Sequence, residues 1–523
     1  MRRLSVGLAI LAASATSAAG PVSLPVRGMP RVATVDERYQ SYNVEMAEVI
    51  GGDFWKPYDP NAKPAPPPAD AGAGEFVIGG SDPTIFQKMP PTDLTRPRLR
   101  KLAAALGPAY VRVSGTWANS AYFHDSDAPP PAAPPKGFKG VLTRREWKGV
   151  VDFARAVDAK IVTSFAISSG VRDAHGVWTP DQARKLVAYT KSLGGQIAAA
   201  ELFNEPTMPS AGGAPPGYDA KMFAADSAAF RKFAREAAPG MLVLGPGSVG
   251  EGGARIVPES IPTLTTEAML SAEPHPVCDA FSFHYYGAVS LRCAAMGRQM
   301  QTTAETALSE EWLSRSDGIF DFYKRLRDRF QPGKLMWLTE TGDAACGGNP
   351  WAATFLDTFR YLDQLARLAR RGLAVHMHNT LAVSEYGLLD AKTLAPRPNY
   401  WGALLWRRLM AATVLDAGPS REGLHLYAHC LRGRPGGVVV LAINNSRTRA
   451  ESVDVPLPMT RYALSANDLQ DGGVQLNGND LKVTPDGDLP DVRGSAVPAG
   501  IVNLPPASIT FLAMAEAGND NCK

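Results

Sequence analysis

The chain has 523 residues, of which 45% are hydrophobic and 20% charged, enough apolar material for a large core and too much for disorder to be its main state. Lysine and arginine number 54 against 51 acidic residues, a formal charge of +3, so there is no electrostatic footprint for nucleic acid or an acidic membrane surface. The length suits roughly three domains, or one (β/α)₈ barrel with an accessory module.

In chain order, Met1-Arg2-Arg3 is a short basic region, Leu4 to Ala19 is apolar and small, and Ser17-Ala18-Ala19 is a small-x-small cleavage site before Gly20. This predicts a signal peptide over 1–19 and an exported protein. The segment is too short to span a bilayer, and no later stretch reaches the roughly 18 apolar residues a span needs. Residues 20–38 are expected to add a strand to the C-terminal module. Gly51 to Asp70, with Lys63-Pro64-Ala65-Pro66-Pro67-Pro68 near its end, and Ala128 to Lys136 read as loops inside one domain, because proline removes donors and clashes in helices.

From about Tyr39 onward, apolar runs alternate with helical patterns. The strand candidates are Ala109–Ser114, Lys160–Ala166, Ile197–Phe203, Met241–Gly245, Asp279–Tyr285, Leu335–Glu340 and Ala374–Asn379, with either Tyr39–Glu45 or Glu75–Gly79 as the first. Helix starts are expected at Thr143…Glu146, a capping box, and at Thr179-Pro180 with Gln182; Asp219–Ala237 and Trp351–Arg371 carry helical periodicity. Eight strands alternating with helices predict an α/β fold, a (β/α)₈ TIM barrel over 39–410. An open doubly wound sheet is the runner-up, but the first βα turn carries no G-x-G-x-x-G. After Leu415 short strands follow one another without helices, which predicts a C-terminal all-β sandwich domain over 411–523.

Catalytic residues of a barrel sit at the C-terminal ends of its strands. The fourth strand ends Glu201-Leu202-Phe203-Asn204-Glu205-Pro206, and the seventh ends Trp337-Leu338-Thr339-Glu340-Thr341-Gly342. Each delivers a carboxylate to one mouth. Glycoside hydrolysis needs such a pair, one group protonated and one ionised.

These segments, with Tyr42-Asn43-Val44-Glu45, Tyr110 to Thr116, Phe283-His284-Tyr285-Tyr286, Cys346-Gly347-Gly348, Pro398-Asn399-Tyr400-Trp401 and Leu426 to Cys430, resemble glycoside hydrolase family 79, the family of heparanase and bacterial β-glucuronidases. The likeness runs over nearly the whole mature chain. It implies Glu205 as acid/base, Glu340 as nucleophile, Asn204 on the sugar 2-hydroxyl and Tyr286 holding Glu340. His284 would line the same floor, and Glu45 would accept from sugar hydroxyls. It implies that the uronate carboxylate is met without a cation, by Gly347, the adjoining Gly348 and Tyr386. Asp343 would repel that carboxylate if it pointed inward. It also favours Tyr39–Glu45 as the first strand.

Trp55, Trp117 and Trp178 fall in or near predicted mouth loops; Trp117, just after Thr116 at the end of strand two, suits sugar stacking or loop packing. His376-Met377-His378 puts two imidazoles on one strand face, yet lacks companions at metal-site spacing, so no metal and no cofactor are expected. Five cysteines show no metal spacing. Cys430 and Cys522 share the C-terminal module and are the candidate disulfide, with free buried thiols as the alternative. The sequence therefore reads as an exported retaining β-glucuronidase of exo action, with a glucuronide glycan or glycoconjugate as partner. An endo-acting heparanase-like enzyme, a neutral-sugar relative and an inactive carbohydrate-binding protein remain as alternatives.

Overall fold

In a computed structural model, residues 20–58, 85–257, 261–296 and 300–523 are described. The signal segment, the Pro-rich run at 63–68 and the alternative first strand Glu75–Gly79 lie outside them.

Eight parallel strands close a barrel in chain order: Gln40–Glu45, Ala109–Ser114, Ala159–Ser164, Ile197–Glu201, Leu242–Ser248, Ala280–Val289, Leu335–Ala345 and Leu373–His378. Strand eight returns to strand one through His376↔Gln40. Strands six and seven run four and five residues past the ends read from the sequence, pairing as far as Val289↔Ala345. Glycine and alanine there are poor strand formers, and the ladder to the neighbour overrides that preference.

Side chains two apart on a strand share a face, and the inward faces change character along the barrel axis. Tyr110, Ala199, Ala280 and Trp337 belong to one buried apolar cluster that plugs the lower barrel. Arg112, Glu201, His284 and Thr339, further along the same strands, form hydrogen bonds with one another above it. The alternation places a charged layer at the mouth and a dry one beneath.

Around the barrel, Thr143 and Glu146 form a reciprocal capping box at the start of Arg144–Ala156, and Asp219 caps Ala220–Ala237 through the Met222 amide at 2.8 Å. The start expected at Thr179-Pro180 is different: the helix is Asp181–Ser192, and the Thr179 hydroxyl donates to the Val171 carbonyl instead of capping. The first Pro-rich region contains a strand after all, Gly52–Trp55, paired with Phe86–Met89 in a hairpin at the mouth.

The helix Pro398–Leu409 runs directly into the strand Met410–Leu415, where the all-β module begins. The module has a three-stranded sheet and a nine-stranded sheet. Val22–Ser23 pairs with Glu451–Val455 in the first, and Arg31–Thr34 pairs with Met410–Leu415 in the second. Leu24, Leu426, Val440, Val453 and Leu512, drawn from both sheets and the N-terminal segment, share one apolar core. No helix among the described residues is long and apolar enough to cross a membrane.

Cys430 and Cys522 form a disulfide across a separation of 92 residues. A closed loop of that size lowers the entropy of the unfolded chain by an amount worth about 4–5 kcal/mol. Serine at both positions is expected to lower the unfolding free energy by up to that amount in denaturant titrations.

His425 of the module sits between two barrel carboxylates, Asp363 at 2.6 Å and Glu310 at 2.8 Å. Burial disfavours its charged form, but Asp363 and Glu310 outweigh that and push its pKa up to about 9. A raised pKa means stability that is fully present below the ordinary value of 6.5 and lost as pH rises through 9. The stability advantage of wild type over His425→Asn, read from urea unfolding at pH 6 and pH 9.5, is expected to shrink by on the order of 3 kcal/mol.

Candidate active site

Strand four ends at Glu201, and the chain turns sharply to place Glu205 at φ 54°. That left-handed backbone is uncommon for a residue with a Cβ and concentrates at functional positions. Asn119 holds the turn from below, donating to the Asn204 and Gly212 carbonyls and accepting from the Asn204 amide, all within 2.9 Å. Glu340 rises from strand seven. An oxygen of Glu205 and one of Glu340 lie within 4.8 Å of each other and of a His284 nitrogen.

The two carboxyls have different surroundings. Each Glu340 oxygen accepts one hydrogen bond, Oε1 from the Tyr286 hydroxyl at 2.8 Å and Oε2 from Arg112 at 2.7 Å, an arrangement that suits an anion. Tyr286, raised well above 10 by burial and by Glu340, keeps its proton to donate. Among the described residues, Glu205 has no arginine or lysine in direct contact; its partner is His284. Burial, reinforced by Glu340, raises its pKa against the opposing bond from His284 Nδ1 at 3.1 Å. Glu205 is set to hold a proton, and Glu340 lies between two hydrogen-bond donors.

Arg112 binds the site together. Its guanidinium is fully buried and reaches Glu201 Oε2 at 2.9 Å, Glu340 Oε2 at 2.7 Å and Asn204 Oδ1 at 2.7 Å. Burial pushes Glu201 upward, but Arg112 outweighs it, with His284 and Thr339 adding, and the carboxyl lies well below its usual range. Neither Arg112 nor Glu201 was singled out from the sequence. The signal was available: a lone arginine in Ala-Tyr-Val-Arg-Val-Ser and a glutamate closing Ile-Ala-Ala-Ala-Glu are charges in buried strands, which need partners.

Burial opposes the His284 imidazolium, but Glu340, Glu201 and Glu205 raise its pKa to about 9. The approach of Arg112 Nη2 to His284 Nε2 at 3.2 Å instead suits a neutral ring that accepts there. Both states carry a proton on Nδ1, so Glu205 is supplied with a donor in either.

The pocket brings together Glu45, Thr116, Trp117, Glu205, Tyr286, Glu340 and Tyr386, along with Phe54, Trp55 and Asn379 that the sequence reading left without a role. Asn204 and His284 are buried beneath it, within hydrogen-bond reach of Arg112. Glu45 is buried, and its Oε2 has no partner among the described residues; burial and Glu340 raise its pKa well above 4.5. A Cβ at Gly115 would come 1.6 Å from that oxygen, so only glycine fits there.

Gly347 and Gly348 follow Cys346, all three at positive φ. The Gly348 amide is used by the Ala344 carbonyl at 3.2 Å, so it is not open to a ligand; the Gly347 amide has no acceptor among the described residues. A Cβ on Gly347 would strike Trp55 at 2.7 Å. The loop is tied down by a Cys293–Cys346 disulfide, a pairing the sequence reading did not consider. Asp343 turns away from the pocket, accepting from the Asn349 amide at 3.0 Å. Burial and neighbouring Asp357 push its pKa up to about 8 despite Arg360, so at neutral pH it is mostly uncharged. Trp178, in the loop after strand three, does not line the pocket: it packs edge-on against Phe230 and Phe233 and donates to the Ala166 carbonyl at 2.9 Å. His378 donates to the Tyr386 carbonyl at 2.6 Å, with a pKa held near 3 by burial and Arg360.

Glu205, His284 and Glu340 also have the donor chemistry of a metal site. Their atoms already satisfy one another, Tyr286 and Arg112, which accounts for the cluster without an ion.

A parallel barrel that raises two unequal carboxyls at the ends of strands four and seven defines a barrel glycosidase. The family described as "Glycosyl hydrolase family 79, N-terminal domain" matches residues 91–366. The chain belongs to glycosyl hydrolase family 79, whose members hydrolyse O-glycosyl bonds. It is 27% identical to heparanase of Mus musculus over 494 residues, covering 82% of this chain and 87% of that one. It is 32% identical to baicalin-beta-D-glucuronidase of Scutellaria baicalensis over 183 residues, 33% of this chain and 34% of that one. Among solved structures, a 4-O-alpha-L-rhamnosyl-beta-D-glucuronidase from Fusarium oxysporum 12S shares the fold with a TM-score of 0.62 at 12% identity, over 94% of this chain and all of that one.

If Glu205 gives its proton to the departing oxygen, loss of that proton stops the donation. On a glycoside with a poor leaving group, kcat/KM is expected to fall as pH rises through the raised Glu205 pKa. Glu205→Gln is expected to remove that alkaline limb from the profile.

Proposed function

We propose that the protein is an exported, exo-acting, retaining β-glucuronidase. The Glu340 carboxylate attacks the anomeric carbon; the bond to the aglycone oxygen breaks, and that oxygen takes the Glu205 proton. A glycosyl ester on Glu340 results. Water then gives a proton to Glu205 and attacks the same carbon, and the ester bond breaks, releasing glucuronic acid with its configuration kept. The observation that carries this reading is the separation of the two carboxyls. A closest oxygen–oxygen approach within 4.8 Å supports the shorter separation of retaining pairs, roughly 5–5.5 Å between carboxyls, over the roughly 6.5–9.5 Å of inverting ones.

Asn204 has its Oδ1 engaged by Arg112, which leaves its amide to donate to the 2-hydroxyl. Glu45, with one free oxygen, accepts from other hydroxyls. The uronate carboxylate is met by the Gly347 amide and the Tyr386 hydroxyl, which burial keeps protonated. Asp343, turned away, does not oppose it. The relative named for baicalin glucuronide supports the sugar, and a cavity of only about 90 Å³ supports removal of one terminal unit. The β-module is read as a sandwich that buttresses the barrel.

The test is a matched pair of chromogenic substrates, a β-glucuronide and a β-glucoside. Strong preference for the glucuronide supports the reading. Preference for the glucoside moves the enzyme to a neutral sugar and removes the roles given to Gly347 and Tyr386.

A further inference from the structure

The departing oxygen is protonated by Glu205, so the aglycone lies against the loops on the Glu205 side of the mouth. These are the loops after strands two, four and five. Their contribution to the pocket is Thr116, Trp117, Met208, Ala211, Ile256 and Val257, beside Glu205 itself. One hydroxyl is the only polar side chain in that wall, and no lysine, arginine or histidine belongs to the pocket among the described residues.

Two arginines of the neighbouring loops are held by other partners. Arg255, just before Ile256, donates to the Val257 carbonyl at 3.1 Å and the Ile261 carbonyl at 2.9 Å. Arg172, in the loop after strand three, is held by Asp226 at 2.6 Å and by the Ile167 carbonyl. A sulfated or uronate-bearing second sugar would lose its hydration here and find no cationic partner in return among the described residues. An aromatic ring would instead bury apolar area against Met208, Ile256 and Val257, with Trp117 to stack on. Trp117 is itself backed by Phe54, ring centroids 5.1 Å apart, so it is a supported platform rather than a loose side chain.

Resting on the glucuronidase reading, we propose that this wall is an aglycone site for a flat, uncharged, apolar group, and that the natural substrates are glucuronides of aromatic compounds rather than sulfated glycans. Trp117 sets the preference by stacking, and Ile256 and Val257 exclude charge.

The experiment uses 1-thio-β-glucuronides as competitive inhibitors, because their slow cleavage removes leaving-group chemistry from the comparison. Three are needed: the 2-naphthyl compound, the methyl compound and a thio-linked disaccharide with a 6-sulfated glucosamine. The naphthyl inhibition constant is expected to lie at least about tenfold below the methyl one, and the sulfated disaccharide at or above the methyl one. Trp117→Ala is expected to erase the naphthyl advantage, and Trp117→Phe to keep most of it. The proposal is overturned if naphthyl binds no better than methyl, or if the sulfated disaccharide binds better than naphthyl. β-Glucuronyl fluoride, which has no aglycone, separates the two readings. Turnover of the fluoride with no naphthyl advantage removes the aglycone site alone, whereas a fluoride left untouched removes both.

Discussion

Glu340→Gln is expected to lower kcat on an aryl β-glucuronide by at least about 10⁴-fold while the protein stays folded. The glutamine amide keeps the shape of the carboxyl, and one oxygen still accepts from a neighbour. It cannot form the glycosyl ester, and it replaces the anion between Tyr286 and Arg112 with a neutral group. Substrate binding should change far less than turnover, because the interaction removed is one that grows only as the anomeric carbon becomes electron-poor. The measurement is steady-state kinetics of wild type and variant, with far-ultraviolet circular dichroism to confirm the fold. A variant retaining more than a hundredth of wild-type kcat would remove Glu340 from the nucleophile role.

Arg112→Met is expected to be the most damaging single change to the fold at the site. The guanidinium is in direct contact with Glu201 and Glu340, and both carboxylates are buried with it. Removing one partner of a buried ionic set leaves charge uncompensated, at a cost of about 3–5 kcal/mol. Arg112→Lys keeps the charge but can no longer reach Glu201, Glu340 and Asn204 together from one planar group. It should fold close to normally while losing most activity. Urea unfolding and kcat/KM for the two variants distinguish the contributions. If Arg112→Lys were fully active, the fork geometry would be irrelevant and only the charge would count.

The barrel was legible because period and order carried it: buried apolar runs of strand length, alternating with helices, leave few topologies. The carboxyls were legible because barrel chemistry has a fixed place, the C-terminal ends of strands. Strand ends were less so, since strands six and seven extend through Gly287 and Gly342 on the strength of neighbouring backbone rather than their own preference. Arg112 was hidden by its setting. In sequence it is one residue of an apolar strand, and its importance comes from Glu201, Asn204, His284 and Glu340 converging on it from three other strands. The Cys293–Cys346 bridge had no local signal, because the long pairing of strands six and seven brings those loops together. Trp178 does lie in a mouth loop, the one after strand three, but its indole packs against Phe230 and Phe233 and does not line the pocket.

The first and last parts of the described chain meet in the β-module. Val22 pairs with Val453, Ala33 with Val414, and Asn519 donates to the Val26 and Met29 carbonyls. The barrel is therefore an insertion between two pieces of the module, and the module cannot close until its last strands have been made. During synthesis the N-terminal strands emerge first and wait, unpaired, for partners nearly four hundred residues or more behind them. The barrel can assemble within that interval, and the module then closes around the two segments that flank it. This closure pairs strands far apart in sequence and raises the contact order of the module. It also makes removal of residues 20–34 equivalent to opening both sheets at once, however far those residues lie from Glu205 and Glu340.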